Sequence, residues 1–474
     1  MQPANKGRPT MAGPCFLSCM TMNGIANPYS GLVEHRQALH DAAQVEQRLA
    51  GAQAAFAGWA ASGFSQRAQV LQAMARLLRA QAPELAALMR QEMGKLQREG
   101  VAEINKSASV CEYYAEHAQA LLADVAIATE ARRSHVRHEP LGCLLAVMPW
   151  NFPFWQVMRF LAPALMAGNV ALLKHASNVP RCADAIAALL QQAGLPAGVF
   201  AVLHIDNGQA ATVVADARIR AVSLTGSERA GSAVAATAGR HLKKCVLELG
   251  GSDPFIVLAD ADLDVAVKAA VSSRFDNAGQ TCIAAKRFIV VDAIADAFAQ
   301  ALVAAAAQRR YGDPADAHTS LAPLARADLR DELHAQVLQS VAAGATVLTG
   351  GAPVAGSHAG YLATVLDHVG PGMPAYSQEL FGPVAAIIRV ADAAAAVAVA
   401  NDSDFGLGAS IWSADAASAQ ALAGQLQCGA VFVNAPVRSD ARLPFGGCKR
   451  SGYGRELGQA GILELVNAKT VYVA

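Results

Sequence analysis

The sequence predicts an α/β fold in which parallel sheets are covered by helices, and three observations predict it. Short apolar runs bounded by glycine, proline or polar clusters read as strands. Between them lie longer stretches whose apolar residues recur every three or four positions, the period of a helix. Strand, helix and strand in that order require crossover connections, which build parallel sheets. At 474 residues the chain also exceeds what one hydrophobic core usually serves, so two or three domains are expected.

Two helical stretches come first, residues 42–61 and 66–93. Strands are predicted at 144–148, 170–173, 199–203, 220–224, 245–249 and 255–258, with helices at 155–167, 181–192 and 230–242 among them. Gly194-Leu-Pro196 stops the second of these helices. Further strands follow near 288–291 and 430–433, and the alanine-rich stretches 301–307 and 393–400 read as helices. Two segments break the pattern. Residues 125–139 alternate polar and apolar side chains and carry Arg132, Arg133, His135, Arg137 and His138, and the tail 462–474 ends in a strand-like run from Lys469. Each reads either as an edge strand seeking a partner, within the chain or in another subunit, or as an exposed hairpin and a frayed end.

Composition excludes several classes of function. With 53% hydrophobic and 16% charged residues the chain is globular rather than disordered. Its 38 basic residues cancel 38 acidic ones, which argues against a nucleic-acid or anionic-membrane partner. No apolar run is long enough to span a bilayer. Residues 1–22 read as a disordered tail or an overlong start. Nine irregularly spaced cysteines suggest neither a disulfide framework nor a zinc site, so no metal is expected and a cytoplasmic location is.

Several segments carry chemistry. Asp276-Asn-Ala-Gly-Gln-Thr-Cys282 sets a thiol after a glycine turn, where backbone N–H groups or a helix N-terminus would lower its pKa. Taken alone, Cys282 is more readily a small core residue. Glu248, in Val246-Leu-Glu-Leu-Gly-Gly-Ser-Asp253, ends an apolar strand, either as a base at the sheet edge or as a buried pair member. Asn151 is the polar residue of the turn Pro149-Trp-Asn-Phe-Pro-Phe-Trp155 and can donate to a developing oxyanion or cap the next helix. Lys174 ends a buried strand, within reach of a cofactor ribose or phosphate. Leu224-Thr-Gly-Ser-Glu-Arg-Ala-Gly231 joins a strand to a helix whose first N–H groups suit a phosphate, although the G-x-G-x-x-G fingerprint is absent.

Together these segments resemble the aldehyde dehydrogenase superfamily. PWNFP, the lysine strand, LTGS, LELGG, NAGQTC, Gln378-Glu-Leu-Phe-Gly-Pro-Val384 and Pro444-Phe-Gly-Gly447 stand in that family's order, and the resemblance runs from Asn27 to the C-terminus. It implies a Rossmann-like cofactor domain (23–121 and 141–248) and an α/β catalytic domain (249–450). A small β bridging element (122–140 and 451–474) would assemble a homodimer or homotetramer. Roles are implied as well. Cys282 attacks the aldehyde, the Asn151 amide and the Cys282 N–H hold the oxyanion, and Glu248 activates the water that hydrolyses the thioester. Lys174 would meet the adenosine ribose, Ser227 the pyrophosphate, Glu379 the nicotinamide ribose and Phe381 the nicotinamide of NAD or NADP. Trp150, Gly226, Gly231 and Leu249 complete that site, while Trp155, Thr281 and Phe445 line the substrate site.

Within the family, segments 173–180, 282–287 and 443–457 resemble the bacterial succinate-semialdehyde dehydrogenases. Asn151, Trp155 and Arg159 share one helix face if a helix starts at the aromatic turn. Arg159 would then face an aldehyde with a distal carboxylate, or else make a structural ion pair, and Ser439 would add a hydroxyl donor. Ser177 stands three residues after Lys174, where NAD-preferring relatives commonly carry glutamate; a neutral donor there favours NADP, with NAD alongside. Ala284 occupies the place of the second cysteine that serves some relatives as a redox switch. Other readings stay open: a different small or medium aldehyde, a CoA-acylating relative, which Glu248 argues against, a cysteine hydrolase, or a non-catalytic binding protein on the same scaffold.

Overall fold

The computed structural model describes residues 22–474. The expected tail, with Cys15 and Cys19, lies outside the described residues except for Met22, which opens a strand. Strands β1 (Met22–Ala26) and β2 (Val33–Ala38) form an antiparallel hairpin. Helix α1 (Ala42–Ala61) starts at Asp41, whose carboxylate accepts from Gln44 N while the Gln44 side chain accepts from Asp41 N. The single helix expected over 66–93 is two, α2 (Phe64–Ala80) and α3 (Ala82–Met93). Pro83 has no N–H to continue the ladder and its ring crowds the preceding turn, so the helix breaks at Gln81 and restarts. The 25-residue α4 (Gln97–Leu121) is not anticipated by the sequence reading. Its buried face carries Glu103 and Ser107 among Ile104, Cys111 and Tyr114, which blurs the apolar period.

Strands β3 (Val125–Ala126) and β4 (Arg133–Pro140) precede the predicted alternation. It runs β5 (Cys143–Met148), α5 (Trp155–Met166), β6 (Val170–His175), α6 (Pro180–Gln192), β7 (Phe200–Val202), α7 (Asn207–Ala215), β8 (Ile219–Thr225), α8 (Glu228–Arg240) and β9 (Lys244–Glu248). Strands β5 to β9 are parallel in the order β9-β8-β5-β6-β7. Helices cover both faces, so β5 is buried along nearly its whole length and reads as a continuous apolar run. Connections leave β5 in opposite directions, and ligands of such sheets lie beyond the strands' carboxyl ends at that point.

A second sheet follows from β10 (Asp253–Val257), α9 (Leu263–Phe275), β11 (Ala285–Val291), α10 (Asp292–Ala306), α11 (Ala327–Ala342), β12 (Thr346–Thr349), β13 (Thr364–Asp367), α12 (Pro374–Ser377), β14 (Val384–Val390), α13 (Ala393–Asn401), β15 (Phe405–Gly406), β16 (Gly408–Trp412), α14 (Ala416–Ala423) and β17 (Ala430–Val433). Its order is β12-β13-β14-β11-β10-β16-β17, parallel except for edge strand β12. The alanine-rich stretches are α10 and α13, as expected. Strands β18 (Cys448–Lys449), β19 (Gly452–Tyr453) and β20 (Val466–Val473) end the chain. The two edge-seeking segments are each other's partners: β20 pairs with β4, and β4 with β3, all antiparallel. Strand β19 departs from the expected grouping of 451–474, because it joins the first sheet with Gly452 opposite Glu248. Gly452 sits at φ 113°, and a Cβ there would stand 1.9 Å from Leu247 O, so only glycine permits the approach.

Candidate active site

Two hollows meet at Cys282. A cleft of about 850 Å³ lies at the carboxyl ends of β5, β6, β8 and β9, and a cavity of about 370 Å³ lies between α4, α5 and residues 436–445. Cys282 and Gln156 line both. The carboxyl ends of parallel strands leave backbone and side chains free to meet a ligand, which is why the site forms here.

The cleft gathers Trp150, Asn151, Lys174, Gly226, Ser227, Leu249, Glu379 and Phe381. Ser227 caps α8, accepting from Ala230 N at 3.3 Å, and the first N–H groups of this 13-residue helix open on the cleft. Burial lowers the pKa of Lys174, and no described carboxylate pairs with it. Glu379 accepts from Gly251 N at 3.1 Å and pairs with Lys286 at 3.0 Å, and Trp150 meets Phe381 edge-on at 5.8 Å. Two predicted residues fall elsewhere. Ser177 is exposed and does not line the cleft, although Ala176 beside it does. Gly231 is buried behind it; a Cβ there would stand 2.6 Å from Leu249, so the glycine lets α8 close on that strand end.

Cys282, the candidate nucleophile, sits in a clamped turn between α9 and β11. Asn277 (φ 53°) and Ala278 (φ 51°) both adopt the left-handed conformation that costs non-glycine residues energy. Surrounding bonds hold it: Arg274 donates to Gly279 O at 2.6 Å and to Ala285 O at 3.2 Å, and Lys286 donates to Cys282 O at 2.7 Å. Asn151 Nδ2 donates to Gln280 O at 3.0 Å, and Asn277 Nδ2 and Lys95 Nζ both donate to Asn151 O. The lowered thiol pKa expected from the sequence is not found. A strand rather than a helix follows Cys282, and burial pushes the thiol up to about 11 against the pull of Arg159 and Lys286.

Glu248 ends β9, as expected, but is 2% exposed and lines neither hollow. Neither carboxylate oxygen has a hydrogen-bond partner among the described residues. Burial, then the neighbouring Glu456, raises its pKa well above the carboxylate range. Glu456, also raised by burial, forms an ion pair with Arg159 and accepts from Ser223 Oγ at 3.3 Å.

The cavity collects Trp155, Arg159, Thr281, Ser439 and Phe445, the residues singled out for substrate. Trp155 and Arg159 share a face of α5, while Asn151 precedes the helix and faces the cleft. The Arg159 guanidinium is committed: besides Glu456 it meets Thr225 Oγ1 at 3.2 Å and lies 4.7 Å from the Phe445 ring centre. Sequence reasoning missed Lys95, Glu103 and Lys106. Lys95 and Glu103 form a buried ion pair, and Glu103 Oε1 accepts from Phe154 N and Trp155 N, fixing the start of α5. A charged residue on the apolar face of 97–121 was the available signal.

This fold, with a cysteine turn at the junction of a nucleotide-sized cleft and a smaller cavity, defines an oxidoreductase class. The chain belongs to the aldehyde dehydrogenase family, whose model matches residues 20–471. It is 50% identical over 428 residues to the Escherichia coli protein named succinate semialdehyde dehydrogenase [NAD(P)+], covering 90% of this chain and 93% of that one. A Synechocystis protein named probable succinate-semialdehyde dehydrogenase [NADP(+)] is 50% identical over 448 residues, covering 94% and 99%. Among solved structures, a Streptococcus pyogenes succinic semialdehyde dehydrogenase in complex with NADP+ is 38% identical with a TM-score of 0.92, covering 95% and 99%.

Proposed function

We propose that this chain oxidises succinate semialdehyde to succinate with NADP, and with NAD alongside, through a thioester on Cys282. The observation that carries the reading is the meeting of cleft and cavity at that thiol. The names of the similar proteins supply the substrate and cofactor class.

The residues fit a dinucleotide. Lys174 stands in the cleft without a described carboxylate partner, the first turn of α8 borders the same cleft, and a Cβ at Gly250 would strike Glu379 at 2.3 Å. Lys174, Ser227 and Glu379 would hold ribose and phosphate and Trp150 and Phe381 the nicotinamide ring, with Ser177 just outside the cleft wall on the adenosine side. Bound there, the nicotinamide accepts a hydride.

The chain's own residues do the rest. Cys282 Sγ gives up its proton to solvent and bonds to the aldehyde carbon, and the oxyanion formed takes the free Asn151 N–H and the Cys282 N–H. Loss of hydride leaves the thioester. Turned from beside Glu456 toward the thioester, Glu248 would accept a proton from the water that attacks the thioester carbonyl and return it to the departing thiolate as the acid is released. The strained, clamped turn at 277–280 keeps these donors in place.

The outer edge of β20 is unpaired among the described residues, which supports assembly as a homodimer or homotetramer. The buried thiols of Cys111, Cys143 and Cys182 pack as small apolar residues, in keeping with a reducing cytoplasm. Initial rates over a panel of aldehydes with each cofactor test the reading. Succinate semialdehyde should exceed butanal in kcat/KM by at least tenfold, and equal values would sink it.

A further inference from the structure

The cavity holds more charge than the predicted substrate residues account for. On one side of it stand five charged side chains: Lys95, Glu103, Lys106 and Arg159 line the wall, and Glu456 lies behind Arg159. Four of them are matched. Lys95 pairs with Glu103, which also caps the start of α5, and Arg159 pairs with Glu456. The fifth is not. Lys106 Nζ donates to Ser439 Oγ at 2.7 Å and stands 4.2 Å from the Trp155 ring centre, with no described carboxylate as an ion-pair partner. Both of its contacts orient the ammonium without neutralising it.

The remaining carboxyls of the cavity are also engaged. Glu99 accepts from Asn277 N, with burial raising its pKa, and Asp276 pairs with Arg309 at 3.3 Å and accepts from Ser272 Oγ. Asp440, next to Ser439, is held by Arg442. Lys106 is therefore the cation of this wall without a described carboxylate partner.

Resting on the proposed oxidation of a carboxylate-bearing aldehyde, we infer that Lys106, with Ser439, is the residue that reads the distal carboxylate, while Arg159 chiefly holds Glu456. Arg159 adds positive potential, but its charge is balanced and its guanidinium occupied. A monoanionic substrate of succinate semialdehyde type gives the Lys106 ammonium a counter-ion, whereas a neutral aldehyde leaves it stripped of water and unpaired. Discrimination is thus built on the penalty for the wrong guest as well as the gain for the right one.

Burial, Arg159 and the opposing pull of Glu103, Cys282 and Asp440 leave Lys106 titrating at about 8, down from 10.5. The test uses the full-length enzyme with succinate semialdehyde and butanal. In wild type, KM for succinate semialdehyde should rise as pH passes 8 while KM for butanal stays level. A flat succinate semialdehyde KM from pH 7 to 9.5 would overturn the inference without any variant. In Lys106→Met the ratio of kcat/KM for the two aldehydes should fall at least tenfold, mainly through KM, and Lys106→Arg should recover most of it. A ratio within twofold of wild type in a folded Lys106→Met variant would also overturn it. If wild type shows no preference for the carboxylate, the proposed function itself fails; if it does and Lys106→Met keeps it, only the role of Lys106 fails.

Discussion

The Asn151 amide donates to the carbonyl of Gln280 at 3.0 Å, tying the turn after β5 to the turn that presents Cys282. One N–H of the amide is thereby fixed and the other is aimed by it. The carbonyl of Asn151 is held in turn by Lys95 and Asn277. The proposed oxyanion donor and the proposed nucleophile are therefore fixed relative to each other.

Removing that donor should leave binding largely intact and damage the chemical step. Asn151→Ala is expected to lower kcat by roughly 10²–10³, about 3–4 kcal/mol, as for other oxyanion donors. Pre-steady-state hydride transfer measures it, and a loss below threefold would remove Asn151 from the role.

In the free enzyme the Cys282 thiol titrates at about 11, so only a small fraction is thiolate at neutral pH. Alkylation by iodoacetamide should accelerate about tenfold per pH unit from 7 to 9, since each unit there multiplies the thiolate tenfold. A plateau already reached at pH 7.5 would mean that the thiol is activated before cofactor binds.

Glu248 is protonated above the usual carboxylate range because burial and Glu456 both oppose its charge. It becomes a base only as pH rises through its raised pKa, so thioester hydrolysis should increase with pH across that interval. Glu248→Gln should give a burst of reduced cofactor followed by turnover slowed at least 100-fold, about 3 kcal/mol, and lose the pH dependence. Full steady-state turnover in the variant would refute the assignment.

Asp253 is buried, accepts from Gly408 N at 3.1 Å, and titrates at about 7 because burial opposes its charge. Between pH 4 and 7, roughly, the folded chain keeps a proton that the unfolded chain has released, so stability falls as pH rises through that window. Asp253→Asn keeps an acceptor for Gly408 and carries no charge. Its melting temperature relative to wild type should be several degrees higher at pH 8 than at pH 5. An equal difference at both would show that Asp253 is charged throughout.

Ser177 tests the cofactor reading. Ser177→Glu, exposed beside the cleft wall, should raise KM for NADP at least tenfold by repelling its 2′-phosphate and spare NAD. Equal effects on both cofactors would place the adenosine end elsewhere.

Much of this was legible in the sequence because its signals are local. The strands β5, β6, β8 and β9 announce themselves as apolar runs, since burial on both faces demands it. Lys174, Gly226 and Glu248 stand at the ends of those runs, so strand placement alone put them near a sheet edge. The break at Gln81 was readable in principle from Pro83. Helix α4 was harder, because Glu103 and Ser107 interrupt its apolar face.

What the sequence by itself determined was the order of strands and helices and the residues that end them, together with Cys282 as the one cysteine set in a recognisable turn. Tertiary structure decided the state of those groups. Whether a thiol is raised or lowered, whether Arg159 is free or spent on Glu456, and whether Lys106 is solvated or faces a cavity depend on contacts between segments far apart in the chain. Charge interacts through space and burial is a property of the packed molecule, so neither is written into the spacing of residues along one strand or helix.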